Sequence, residues 1–348
     1  MVYTYFRQGV TRYPALRGCC AVLRAALPRV HFPPPYREVP QGGAGVTPVE
    51  VGQRQEGGKP VKELRLNAYA KVNLTLDVGQ ARPDGYHEIE SVMHTIALHD
   101  SITLREAGTG TEVIVTDGSN VPTDHRNLVA RAAEKLREMF GVTRPLQIEL
   151  SKRIPVAAGL GGGSSDAAVT LLGLAQMWKL RLDGREMLAL ATQLGADVPF
   201  FLEGGGAVAR GKGERITYLP PLPTTWLVLA RPRAEVSTAW AYRQLGPGGG
   251  TRPQTAAMID AVRREDVREV GRLLHNVFED VIASHYPIIK DLKARILRGE
   301  AYGASMSGTG PTVFGLMANE AAAHKIADDL RQLADLDVYV TRTFAESR

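Results

Sequence analysis

The sequence predicts an α+β chain of two domains, on three observations. Apolar and polar residues alternate from Leu64 to Val78, the mark of a long half-buried strand or a pair of strands. Between Leu146 and Ala175 a strand pattern, a glycine-rich run and a helix pattern follow one another. Pro220-Pro-Leu-Pro223 then interrupts any helix or central strand, and the apolar run Trp226–Ala230 opens a second group of strand and helix patterns. The chain has 348 residues, enough for two cores, and its 44% hydrophobic content is ordinary for a globular protein.

Residues 1–60 stand apart. They hold eight Lys/Arg against three acids, so residues 61–348 are formally neutral and the net charge of +5 is no sign of nucleic-acid binding. The first 37 residues contain six arginines and no acid, as in an organelle transit peptide, but also no serine, which such peptides favour. Residues 38–59 lack periodicity and read as linker. A start placed too early, with translation beginning at Val61, is the other reading, and both stay open. Both cysteines, Cys19 and Cys20, fall in this stretch, so the remainder has no disulfide or thiolate metal site and suits the cytoplasm; a plastid follows only from the transit-peptide reading. No apolar run reaches transmembrane length, and neither a signal peptide nor a membrane partner is expected.

Taken in order, the first strand puts Leu64, Leu66, Ala68, Ala70, Val72, Leu74, Leu76 and Val78 on one face. Lys71 and Asn73 therefore share the polar face. Arg82-Pro-Asp-Gly85-Tyr86-His87 is a turn, followed by strands over 96–104 and 112–115. A helix runs from near Asn127 to Phe140 and stops at Gly141. A later helix is capped by Asp183 and ended by Gly195. Asp197 then stands at a helix–strand junction, before the apolar Val198-Pro-Phe-Phe-Leu202. The glycine-rich 204–213 reads as hairpin strands closing the first domain. Helical patterns cover 237–245, 256–262, 267–282, 287–297 and 320–334; a small-residue turn within 303–315 enters a strand, and another strand covers 338–343.

The run Pro155-Val156-Ala157-Ala158-Gly159-Leu160-Gly161-Gly162-Gly163-Ser164-Ser165-Asp166 carries the chemistry. Glycines let the backbone approach a ligand, and the N–H groups of the following first helical turn, with the positive dipole end behind them, attract an anion. The plainer reading is a flexible turn capped by Ser164 or Ser165. A Walker loop would need Gly-Lys-Ser/Thr, which the chain lacks, and a dinucleotide fingerprint would need glycine where Ser164 stands.

Pro-x-x-x-Gly-Leu-Gly-Gly-Gly-Ser-Ser-Asp resembles the ATP loop of the GHMP kinase superfamily, in the version of a branch whose substrate carries a cytidine diphosphate. The resemblance covers residues 61–348. It implies an N-terminal domain over 61–222, like domain 2 of ribosomal protein S5, and a ferredoxin-like α+β domain over 223–348. It implies ATP with Mg²⁺ and ATP contacts along Pro155–Ser165; the sequence offers no metal cluster of His, Cys or carboxylates, so most Mg²⁺ ligands should be phosphate oxygens and water, with Ser165 a candidate beside them. Ala-Lys71-Val-Asn73-Leu matches the first motif, with Lys71 catalytic and Asn73 near substrate. Gly-Ala-Asp197-Val-Pro matches the segment whose aspartate is the catalytic base. Gly85-Tyr86-His87 matches the cytidine-binding signature, and alignment at Val236-Ser-Thr puts a second aromatic at Tyr242. Gly303-Ala-Ser-Met-Ser-Gly308-Thr-Gly310 matches the third motif. Without that resemblance Lys71 would be a solubility residue, Asp197 a turn former, and the other two segments simple hairpins. The reaction implied is ATP-dependent phosphorylation of the 2-hydroxyl of 4-(cytidine 5′-diphospho)-2-C-methyl-D-erythritol, by a monomer or homodimer. Another kinase of the superfamily, or a non-catalytic ligand sensor, would share the cleft. Deleting residues 1–60 should leave turnover of the purified protein intact, and its abolition would contradict this division of the chain.

Overall fold

The computed structural model describes residues 50–56, 59–245 and 251–345, all within one compact unit spanning Glu38–Arg348. The two cysteines and the arginine-rich start lie outside the described residues. Among the described residues no helix is long and apolar enough to cross a membrane.

The alternation read from Leu64 belongs to one strand, β2 (Lys59–Ala81). Its antiparallel neighbours are β1 (Glu50–Glu56) and β3 (His87–Arg105). Part of the expected linker is thus paired backbone: Val51 is the one large apolar residue of β1, and main-chain pairing to an open strand edge needs no apolar periodicity. The apolar face of β2 serves three cores in succession. Leu64, Leu66 and Ala68 join the first, Ala70, Val72 and Leu74 the second, and Leu76 and Val78 the third. Bulges at Tyr69/Ala70 and Asn73/Thr75 bend the ribbon between them.

β3 also divides its pairing. Ser101–Arg105 pair with β5 (Leu146–Ser151), which lies parallel to β4 (Thr111–Val115). Ile89–His94 pair with β6 (Gly206–Gly211), followed by β7 (Arg215–Leu219). Helices α1 (Leu128–Phe140), α2 (Gly162–Met177) and α3 (Gly184–Leu194) pack with the first core. Their ends follow the sequence: Asn127 Oδ1 accepts from Val129 N at 3.1 Å, Gly141 takes φ 64°, and Asp183 with Glu186 forms a capping box. Val198–Leu202 is a 3-10 helix where a strand was expected, because Pro199 has no N–H for a ladder while Phe200 and Phe201 are drawn into the core.

The second sheet has the antiparallel order β10 (Ala301–Met306), β11 (Val313–Met317), β8 (Trp226–Pro232), β12 (Leu336–Arg342). Helices α4 (Thr238–Gln244), α5 (Thr255–Arg263), α6 (Val267–Leu273), α7 (Phe278–His285) and α8 (Ile288–Arg298) separate β8 from β10, and α9 (Glu320–Leu330) separates β11 from β12. That order is ferredoxin-like. The single helix expected over 267–282 is two, α6 and α7. Between them His275–Asn276 form β9, parallel to Thr75–Leu76, and Asn276 Oδ1 accepts from Phe278 N at 3.0 Å.

His94, fully buried on β3, ties the first sheet to the proline-rich connection. Its Nε2 accepts from Leu222 N at 2.9 Å, so Nδ1 carries the proton and donates to Thr95 O at 2.7 Å. Burial lowers its pKa from 6.5 to about 4, the Thr95 carbonyl opposing. The folded-state value lies below the unfolded one, so the unfolded chain takes up the proton first. The contribution is whole above pH 6.5 and lost as pH falls towards 4. In urea melts, wild type should lose about 2 kcal/mol more than His94→Gln between pH 7 and pH 5. Equal losses would contradict a buried neutral imidazole.

Candidate active site

Helix α2 is buried almost all round, and small residues let it sit low on the sheet. A Cβ on Gly173 would meet Leu66 Cδ1 at 2.4 Å and Leu104 Cδ1 at 2.8 Å. This fixes where its N-terminus emerges. The N-cap, Gly161, lies in the left-handed region at φ 72° and supplies no side-chain cap. The N–H groups of the first turn, at Gly162, Gly163 and Ser164, thus have no side-chain cap, a fit for phosphate oxygens. A Cβ on Gly161 would stand 2.7 Å from Phe201 Cζ and 3.1 Å from Lys71 Cγ, so the loop lies directly on the lysine stem. Lys71 N donates to Leu160 O at 3.0 Å, and Ser165 is buried in the same turn of α2.

Lys71 is buried, and its Nζ donates to Asn73 Oδ1 at 2.5 Å. Asp197 Oδ2 stands 3.7 Å away, an ion pair too long for a direct hydrogen bond. Burial pushes the Lys71 ammonium below the usual lysine range, and the Asp197 charge pulls it partly back. Residues 126 positions apart in the chain therefore meet beneath the glycine loop, as their motifs implied.

Asn73 joins the third motif to this pair. The bulge after Asn73 turns its N–H out of the ladder towards Ser307 Oγ at 3.3 Å, and Gly308 N donates to Asn73 Oδ1 at 2.9 Å. Asn73 Nδ2 donates to Ser91 Oγ at 2.8 Å. Ser307 Oγ donates to Gly159 O at 2.9 Å, so the third-motif turn and the glycine loop are held together. Asn276 secures that turn from behind, its Nδ2 donating to Met306 O and Gly308 O, both at 2.7 Å. Sequence reasoning missed Ser91 and Asn276. A buried asparagine has no pattern of its own, and the helical spacing around Asn276 concealed it.

The expected base-binding residues are near one another in part. His87 and Tyr242 have ring centroids 5.2 Å apart, and Tyr242 packs edge-on against Phe278. Burial and the Asp197 charge raise the Tyr242 hydroxyl to about 12, which places Tyr242 within the field of Asp197. Tyr86 is 54% exposed, with Lys212 Nζ 4.7 Å from its ring centroid. No direct Tyr86–Tyr242 contact accompanies these. Among the described residues there is no group of three His, Cys, Asp or Glu that could hold a metal.

A glycine loop and uncapped helix start packed on a Lys–Asp pair, beside a ferredoxin-like second half, is the arrangement of a small-molecule kinase of the GHMP class. The GHMP kinases N terminal domain model matches residues 127–205 and the GHMP kinases C terminal model residues 258–335. A 4-diphosphocytidyl-2-C-methyl-D-erythritol kinase of Alkaliphilus metalliredigens is 45% identical, over 78% of this chain and 93% of its own. The same-named protein of Pelotomaculum thermopropionicum is 46% identical, over 80% and 96%. The crystal structure of a 4-(cytidine 5′-diphospho)-2C-methyl-D-erythritol kinase superposes with a TM-score of 0.68 at 35% identity, over 80% of this chain and 99% of its own. The chain belongs to the 4-diphosphocytidyl-2-C-methyl-D-erythritol kinase family.

Gly159 has φ 75°, and a Cβ there would stand 2.1 Å from Ser307 O. Gly159→Ala should cost at least about 2 kcal/mol in urea unfolding, through strain and the parting of the two turns. An alanine variant as stable as wild type would contradict the contact.

Proposed function

We infer that the chain transfers the γ-phosphoryl group of ATP to the 2-hydroxyl of 4-(cytidine 5′-diphospho)-2-C-methyl-D-erythritol, a step of the methylerythritol phosphate route to isoprenoid precursors. The observation that carries the catalytic part is the 3.7 Å approach of Lys71 to Asp197 beside the uncapped start of α2. Pro155–Ser165 hold the ATP phosphates, with the N–H groups of Gly162, Gly163 and Ser164 nearest to them. Asp197 accepts the proton of the attacking hydroxyl as the new O–P bond forms and the bond to ADP breaks. Lys71 stabilises charge on the transferring group. Asn73 fixes the lysine through the 2.5 Å hydrogen bond. Mg²⁺ bound with ATP would neutralise phosphate charge; its ligands would be phosphate oxygens and water, with Ser165 the candidate protein group. Tyr86, His87 and Tyr242 take the cytosine, an aromatic face and hydrogen-bonding edges being what a flat base requires.

Residues 61–222 form the nucleotide-binding domain and 223–348 the second, with the family matches at 127–205 and 258–335 falling one in each. A cytoplasmic enzyme, monomeric or homodimeric, acting on a small soluble substrate and not on nucleic acid, suits this reading. A homoserine or mevalonate kinase would need no cytidine contacts, and binding of cytidine diphosphate separates the cases. ADP release should depend on the cytidyl substrate in wild type and fall by about 10²–10⁴-fold in Asp197→Asn. No turnover by wild type would overturn the substrate, and an undiminished variant would overturn the base.

A further inference from the structure

Under the glycine loop lies a buried ion cluster that phosphoryl transfer itself does not use. Asp100, fully buried on β3, accepts through Oδ1 from Arg153 N at 2.6 Å and Ile154 N at 2.8 Å. Its Oδ2 takes the Lys152 ammonium, which also donates to Asp166 Oδ2 at 2.6 Å. The three side chains are 0%, 7% and 4% exposed. The cluster touches the loop at both ends, because residues 152–154 lead into it and Asp166 belongs to α2, which leaves it. It also lies against the phosphate-facing turn: a Cβ on Gly162 would stand 3.4 Å from Asp100 Oδ2 and 3.0 Å from Ile154 Cγ2.

Burying ions is costly, and apolar residues could hold a strand to a helix without that cost. They could not accept two successive main-chain N–H groups at a point where the ladder has ended. β5 stops at Ser151, so Arg153 and Ile154 have left the sheet and need another acceptor. A single carboxylate on the adjacent strand supplies it, and its second oxygen anchors the lysine that reaches α2.

We propose that Asp100 is a positioning residue for ATP: it fixes the path into the glycine loop and, through Lys152, the loop's distance from α2, so that the first-turn N–H groups are set before nucleotide arrives. This rests on the reading of the loop as the ATP site. Its effect is preorganisation, sparing the nucleotide the cost of ordering the loop. The consequence is selective. Asp100 acts on the phosphate cradle and touches none of Lys71, Asp197 or the cytosine-side residues, so its loss should weaken ATP and spare the acceptor.

Asp100→Ala removes acceptor and charge, whereas Asp100→Asn retains an acceptor oxygen for Arg153 and Ile154. The alanine variant should raise both KM for ATP and Kd for a non-hydrolysable ATP analogue by about tenfold or more, with KM for the cytidyl substrate changed less than about twofold. The asparagine variant should recover the part of that loss that comes from the two amides, but not the part carried by Lys152, whose ammonium would face a carboxamide NH2 group. An alanine variant with wild-type circular dichroism and unchanged ATP affinity would overturn the proposal, as would equal rises in both KM values or no recovery in the asparagine variant. If the alanine variant does not fold, hydrogen exchange on wild type decides. The Arg153 and Ile154 amides should be protected before the analogue is added, and protection only after its addition would overturn the proposal. A wild type that binds no analogue would instead overturn the ATP reading of the loop.

Discussion

Two turns from different sheets meet main chain to main chain at Gly159, Ser307 and Gly308. The approach leaves no room for a side chain on either glycine: a Cβ on Gly308 would stand 3.0 Å from Gly159 Cα, and one on Gly159 would overlap Ser307 O. Everything else in the cleft is arranged around that contact. Asn73 can bind Lys71 and Gly308 with the same carboxamide oxygen only because the third-motif turn comes this close to β2. Gly161 can lie on the Lys71 stem only because the loop is pinned from the other side by Ser307. The glycines are thus less a source of flexibility than a means of bringing three backbones within hydrogen-bonding distance.

That geometry explains the long strand. An uninterrupted apolar alternation from Leu64 to Val78 was legible because one face of β2 is buried throughout, although against three different cores. Caps at Asn127 and Asp183 were legible because their hydrogen bonds are local, within three residues. The glycine loop, Lys71 and Asp197 were singled out by motif, since nothing in their spacing says that they meet. Asn276, Ser91 and Asp100 were not found. Each acts across the chain, Asp100 on amides more than fifty positions away, and a polar residue satisfied by a distant backbone leaves no periodic trace. The same blindness turned α6, β9 and α7 into one helix: Val270, Leu273, Leu274 and Val277 keep the apolar spacing, and only the pairing of β9 with β2 breaks it.

The electrostatics of the cleft follow from which groups are denied water. Lys71 side-chain exposure is 5% and that of Asp197 is 35%, so the pair is asymmetric. Burial works against the ammonium and the carboxylate works for it, and Asn73 Oδ1 supplies the hydrogen bond that water would otherwise give. A cation held this way is screened far less by salt than a surface lysine, and its hydrogen bond to Asn73 holds it in place beneath the loop.

Under the proposed mechanism the asymmetry has a purpose. The base must pass its proton to bulk water before the next substrate arrives, and a third of Asp197 remains open for that exchange. Lys71 takes no proton and gives none, so nothing is lost by sealing it beneath Gly161 and Phe201. If the roles were reversed, with a buried carboxylate and an exposed ammonium, the proton would have no route out and the cation would be weakened by solvent. The loop that covers the lysine is the same loop that, in this mechanism, would offer its N–H groups to phosphate. Sealing the cation and cradling the anion are therefore one structural act, which is why the glycine run, the lysine and the third-motif turn have to be built against each other.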